Sequence, residues 1–156
     1  MSGINISFQK IKLIVYDFDG VMTNNKVFVN QNGEEMVQVN RADGLGVSEI
    51  KKLGIKQIIL STEKNYVVKS RAKKLKIDCI YGVKDKKKKL IHYCKENNIQ
   101  FENVAYIGND INDKLAMQLV EFSFCPADAH REIKDISRFV FNSKGGDGVI
   151  RELFEH

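Results

Sequence analysis

A run of mostly aliphatic residues, Ile11-Lys12-Leu13-Ile14-Val15-Tyr16, closes directly on Asp17-Phe18-Asp19-Gly20. A strand this apolar on both faces belongs inside a parallel sheet, where helices cover both sides. Open α/β sheets bind ligands beyond the carboxyl ends of their strands, so a pair of carboxylates there marks a site rather than a core. Gly20 lets the chain turn tightly over whatever binds.

The rest of the chain repeats this grammar. Strands are expected at Lys56 to Leu60, near Cys79-Ile80-Tyr81, at Val104 to Ile107 and near Phe122 to Cys125. Between them lie helical segments. Asp43 can cap a helix carrying Leu45, Ile50 and Leu53 and stopped by Gly54, and a second helix runs from about Lys64 to Leu75. Leu90, Ile91 and Cys94 mark a third, Lys114 to Val120 a fourth, and a closing helix follows Gly145-Gly146. Alternation of this kind predicts an α/β fold, a Rossmann-like three-layer sandwich around a mainly parallel sheet. Val27 to Asn30 and Glu35 to Val39 alternate in apolar character around Asn32-Gly33, which predicts a small β-hairpin flap beside the site. The length of 156 residues suits a single domain, 1–156.

Composition removes several classes of function. The longest aliphatic stretches, Leu13-Ile14-Val15 and Ile58-Ile59-Leu60, fall far short of the roughly 18 apolar residues of a membrane span. Met1 to Gln9 has neither the charged head nor the apolar centre of a secretion signal, so a cytoplasmic location is expected. Cys79, Cys94 and Cys125 are odd in number and widely spaced, which reads as buried small hydrophobes rather than a disulfide or zinc framework. His92, His130 and His156 show no metal-ligand spacing, and only His130, in the loop Ala127-Asp128-Ala129-His130, is placed near the site. The net charge of +5 is concentrated in Lys69 to Lys76 and Lys84 to Lys89, which read as solvated helix faces able to steer anions. Few aromatics interleave with them, against a nucleic-acid binder.

Polar residues gather at the strand ends: Asp17 and Asp19, then Ser61 and Thr62, then Asn109, Asp110 and Asp113. Right-handed crossovers bring such ends to one crevice. An all-oxygen set suits Mg²⁺, which prefers octahedral coordination and binds through one or two carboxylates together with substrate phosphate. Asp17 can then attack phosphorus to give an aspartyl-phosphate, and Asp19 can serve as acid and base. Ser61 and Thr62 offer donors to phosphoryl oxygens, and Lys86, at the start of the next helix, can neutralise charge.

Asp17-x-Asp19-Gly20, Ser61, Lys86 and Gly108-Asn109-Asp110-x-x-Asp113 resemble the four ordered motifs of the haloacid dehalogenase superfamily. Asn40-Arg41-Ala42-Asp43-Gly44, Ala127-Asp128-Ala129-His130 and Gly145-Gly146-Asp147-Gly148-Val149-Ile150-Arg151-Glu152 narrow the resemblance to its capless sugar-acid phosphatases. That group acts on 2-keto-3-deoxy sugar acid phosphates and includes phosphatase-like domains joined to acylneuraminate cytidylyltransferases. The chain agrees that a cap domain is missing, since only the hairpin and one helix separate Asp19 from Ser61.

The resemblance implies a Mg²⁺-dependent phosphatase, with Asp17, Asp19, Asn109, Asp110 and Asp113 around the metal. Asn109 stands where relatives place an Asp. It also implies a homotetramer in which a neighbour's flap or tail closes the site, with Gly145, Gly146 and Arg151 reaching substrate. Arg41 and Asp43, after the flap, are further substrate candidates. Glu63, together with Lys74, resembles the pair of relatives acting on nine-carbon acids, so an ulosonate or N-acylneuraminate 9-phosphate is the leading substrate expectation and 3-deoxy-manno-octulosonate 8-phosphate the alternative. A non-catalytic oligomerisation module, partnered with a cytidylyltransferase, is the competing reading from another class.

Overall fold

The computed structural model describes residues 8–155. The N-terminal heptapeptide, on which most of the targeting expectation rests, and His156 lie outside those residues. Six parallel strands form the central sheet: β1 (Leu13–Tyr16), β4 (Lys56–Leu60), β5 (Asp78–Ile80), β6 (Val104–Ile107), β7 (Phe122–Cys125) and β8 (Phe139–Val140). Their spatial order is β5-β4-β1-β6-β7-β8. The chain therefore builds outward from β1 in one direction and then returns to lay β6 on its other side. That reversal places a crevice at the carboxyl ends of β1 and β6.

Alternation along β1 explains the layers. Ile14 and Tyr16 face a core made with Val47 and Ile50 of α1 (Arg41–Lys52), Val68 and Ala72 of α2 (Val67–Leu75), and Val149, Ile150 and Leu153 of α6 (Val149–Glu155). Leu13 and Val15 face the opposite core, with Leu90 and Cys94 of α3 (Lys86–Glu96), Ala116 and Met117 of α4 (Ile111–Met117), and Ile133 of α5 (Arg131–Ile136). All four β1 side chains are fully buried, as a strand covered on both faces requires.

The flap consists of β2 (Phe28–Val29) and β3 (Glu35–Met36), shorter than the alternation suggested. Its connection is a five-residue loop rather than a two-residue turn, because the Asn30 side chain accepts from Asn32 N and Glu34 N and only Gly33 adopts positive φ. Among the described residues, the hairpin and α1 are the only elements between Asp19 and β4, so there is no separate cap domain.

Several local expectations are corrected. Asn40, not Asp43, caps α1 by accepting from Ala42 N, so Asp43 falls inside the first turn. Leu45 and Leu53 lie on the exposed side of α1, and the buried stripe is Asp43, Gly46, Val47 and Ile50. Ile91 is likewise largely exposed on α3. The second helix starts at Val67 because the Glu63 side chain accepts from Lys64 N and Asn65 N and the Asn65 side chain from Val67 N, which holds that stretch as a turn. Three cysteines are free, two buried and Cys79 half-buried. Among the described residues no helix is long and apolar enough to cross a membrane.

Candidate active site

Asp17 continues β1, its N–H bonding to the carbonyl of Ile107 on β6 at 2.9 Å. Its Oδ1 accepts from Phe18 N at 2.7 Å and from Lys86 Nζ at 2.7 Å. Lys86 is the first residue of α3, whose cap Asp85 accepts from Lys88 N, and the rigid helix start aims the ammonium into the crevice. Its second carboxylate partner is Asp113 Oδ1, also at 2.7 Å. Burial alone would lower the Lys86 pKa, but Asp17 and Asp113 outweigh it and keep the group charged. Burial pushes the Asp17 carboxyl up to about 8, with Asp113 adding to the rise and Lys86 opposing it. A further positive charge is what this carboxylate requires to stay ionised near neutrality.

Asp113 is fully buried and bound on both oxygens: Oδ1 accepts from Lys86 and from Tyr106 Oη at 2.8 Å, Oδ2 from Asn109 N and Asp110 N. It holds Lys86 and the start of α4 in place. Of the residues expected around the metal, Asp113 is thus the one whose oxygens are both engaged by protein donors. Asp110 caps α4, accepts from Ile111 N at 2.7 Å, and also lines the cavity.

The oxygen set that does converge is different. The Asn109 side-chain amide lies 3.0 Å from both Asp17 Oδ2 and the main-chain oxygen of Asp19. With its nitrogen turned inward, Asn109 donates to both oxygens; with its oxygen inward, three oxygens and no proton face one point. One carboxylate, one carbonyl and one amide oxygen fit Mg²⁺ chemistry, whereas among the described residues no cluster of three His, Cys, Asp or Glu side chains does. Asp19 thus offers its carbonyl to this point, and its side chain lines the cavity, raised in pKa by burial and by Glu63 and Glu35, with Lys86 opposing.

The cavity, of about 350 Å³, is lined by Asp17, Asp19, Asn25, Thr62, Asn109, Asp110 and Asn112. Sequence reading missed Asn25 and Asn112. Asn112 lies inside the acidic motif, between Asp110 and Asp113, and reaches Thr62 Oγ1 at 3.4 Å, so its place within that motif was an available signal. Ser61 sits buried at the tip of β4, its Oγ accepting from Glu63 N.

The other expected residues separate into distinct places. Glu63 lies close enough to raise Asp19, but one of its oxygens is held by Lys64 N and Asn65 N. Lys74 lies with Arg41, Lys51, Arg71 and Lys76 in a basic groove between α1 and α2, and no ion pair joins it to Glu63 among the described residues. Asp43 is buried against α6, where it accepts from Ile150 N at 2.9 Å, a placement that removes it from the cavity. Arg151 pairs with Glu155 on α6 and lines another hollow.

Gly145 and Gly146 touch the turn that follows Asp17 and Asp19 in their own chain. A Cβ on Gly145 would lie 2.1 Å from the Gly20 carbonyl oxygen, and Gly146 N donates to Val21 O at 3.0 Å. His130 N donates to Asn109 O, which ties the 127–130 loop to the site.

A buried carboxylate held by a lysine, a second carboxylate beside it and a set of oxygens meet at the switch point of the sheet. The chain belongs to the haloacid dehalogenase-like hydrolases, whose family model matches residues 8–153. It is 32% identical to the 3-deoxy-D-manno-octulosonate 8-phosphate phosphatase of Escherichia coli over 93% of this chain and 78% of that protein. The structure of the corresponding phosphatase from Moraxella catarrhalis, in complex with magnesium, phosphate and KDO, superimposes with a TM-score of 0.91 at 30% identity, covering 98% of this chain and 90% of that one. Zebrafish (Danio rerio) N-acylneuraminate cytidylyltransferase A is 30% identical over 94% of this chain, which spans only 34% of that protein.

Proposed function

We propose that this chain is a Mg²⁺-dependent phosphomonoesterase for a 2-keto-3-deoxy sugar acid phosphate, with 3-deoxy-manno-octulosonate 8-phosphate the leading substrate. The observation that carries the reaction is the asymmetry of Asp17: Oδ1 is pinned by Lys86 and Phe18 N, while Oδ2 faces Asn109 and the Asp19 carbonyl beside the cavity. Asp17 attacks phosphorus as the bond to the sugar oxygen breaks. Asp19 gives its proton to the departing alkoxide, then takes one from the water that cleaves the aspartyl-phosphate and frees Asp17. The raised pKa of Asp19 suits the first of these tasks. Thr62 and Ser61 lie at the neighbouring strand end, where phosphoryl oxygens need donors. Asp17, the Asp19 carbonyl and Asn109 would hold Mg²⁺, which supplies charge that offsets repulsion between carboxylate and phosphate.

The substrate order revises the expectation drawn from Glu63 and Lys74. Glu63 and Lys74 form no ion pair among the described residues, which weakens the case for a nine-carbon acid, and the bacterial phosphatase relatives are named for the octulosonate. An N-acylneuraminate 9-phosphate is the second reading, supported by the likeness to the zebrafish cytidylyltransferase. A cytidylyltransferase partner rests on that likeness too. Phe28, Val29 and Met36 leave the flap apolar and exposed, which supports the homotetramer.

The test is phosphate release, with Mg²⁺, from the octulosonate 8-phosphate, an ulosonate 9-phosphate, an N-acylneuraminate 9-phosphate and p-nitrophenyl phosphate. The octulosonate 8-phosphate is expected to give the highest kcat/KM. The reading fails if no sugar acid phosphate is hydrolysed faster than p-nitrophenyl phosphate.

A further inference from the structure

Among the described residues, three non-glycine residues have positive φ: Asn25 at 64°, Lys76 at 56° and Asn98 at 53°. Lys76 ends α2, and Asn98 follows Asn97, which ends α3; helix termini commonly use the left-handed conformation. Asn25 ends no helix. It follows the catalytic turn and lines the cavity that holds Asp17 and Asp19.

Its backbone is fixed from beneath. Thr23 is fully buried, and its Oγ1 accepts from Gly20 N at 3.2 Å and from Asn25 N at 3.1 Å. One hydroxyl therefore locks the turn that carries the carboxylates and the residue that forms the cavity wall. Gly146 packs against the neighbouring Asn24, where a Cβ would meet the amide nitrogen at 2.7 Å. Asn25 is held in a defined position by residues that also set the reacting groups.

A glycine would hold this backbone at lower steric cost. What asparagine adds is an amide, exposed at the cavity wall and hydrogen-bonded to no side chain or backbone group among the described residues. An amide carries both donors and an acceptor, the pair of functions that a sugar hydroxyl engages. Non-glycine residues held in left-handed backbone cluster at active sites and ligand clamps.

We infer that Asn25 is a specificity-determining residue, its side-chain amide hydrogen-bonding hydroxyls of the sugar acid next to the phosphorylated carbon. This deepens the proposed function and rests on it. The recognition is separate from the chemistry: Asn25 sorts substrates by their sugar part, and Asp17 and Asp19 act on the phosphate common to all of them.

The left-handed backbone supplies a clean probe, since Asn25→Gly removes the amide and leaves φ unstrained. The readout is the ratio of kcat/KM for 3-deoxy-manno-octulosonate 8-phosphate to that for p-nitrophenyl phosphate, in wild type and variant, with thermal unfolding as the control on folding. One lost hydrogen bond should lower the ratio about five- to tenfold, chiefly through KM of the sugar acid phosphate. Asn25→Ala should lower it as well, with a lower Tm from the strained φ. A ratio that stays the same in Asn25→Gly, whether both activities persist or both fall together, overturns the inference. A wild-type ratio near one instead overturns the substrate reading, so the two failures are told apart.

Discussion

At the scale of single residues, the site is a buried charge network: Lys86 between Asp17 and Asp113, with Tyr106 on the far side. Removing one member of such a network leaves the others uncompensated, so Asp113→Ala should cost about 3–5 kcal/mol of stability, measured by urea unfolding. Asn109 gives a second expectation. Asn109→Asp adds a charge to the oxygen cluster, so Mg²⁺ should bind about tenfold or more tightly by calorimetry, and the metal-free variant should unfold at a lower temperature from carboxylate repulsion. Asp43 gives a third. Burial raises its carboxyl to about 6, above the roughly 3.9 of an unfolded chain, so the folded state binds the proton more tightly. Its stabilising contribution is full below the unfolded value and is lost as pH rises through about 6, a change on the order of 3 kcal/mol. Asp43→Asn should flatten that part of the stability curve, read from unfolding between pH 4 and 7.

Residue identity was the most legible part of the sequence, and placement the least. Asp17, Asp19, Thr62, Lys86, Asn109 and Asp110 stand out because chemistry-bearing side chains occur at the ends of apolar runs, and the topology brings them to one crevice. Asp113 belongs to the same motif, yet its oxygens turn inward to Lys86 and Tyr106, which only the tertiary packing reveals. Asp43 reads as a helix cap or substrate contact because the sequence cannot show that α6, more than 100 residues later, will press its N–H groups against it.

At the scale of elements, the catalytic turn from Asp17 to Thr23 is braced by the strap that precedes α6. Gly145 has no room for a side chain against Gly20, so Gly145→Ala should shift the turn and lower kcat by about tenfold or more, as small displacements of reacting groups do. Steady-state kinetics with the octulosonate 8-phosphate check this. The strands covered on both faces were readable from their continuous apolar runs. The shortest elements were not: α5 has six residues and β8 two, too few to show a period, and both owe their form to packing beside β7. Helix starts shifted where polar side chains such as Asn40, Glu63 and Asn65 competed for backbone donors.

At the scale of the whole molecule, the order of strands explains the site. The connections from β1 and β6 leave the sheet in opposite directions, and the groups proposed for the reaction lie at the carboxyl ends of β1, β4 and β6 or, for Lys86, at the start of α3. Without a cap, the cavity stays open beside a flap whose Phe28 and Met36 are about 70% exposed. If the flap seats on other copies, Phe28→Asp with Met36→Asp should convert the assembly to monomers in sedimentation velocity, and unchanged mass would remove that role. The most direct test of the account is Asp17→Asn assayed beside wild type for phosphate release from 3-deoxy-manno-octulosonate 8-phosphate at saturating Mg²⁺. The account expects rapid Mg²⁺-dependent release by wild type and a loss on the order of 10³-fold or more in the variant. Turnover by Asp17→Asn at the wild-type rate would contradict it.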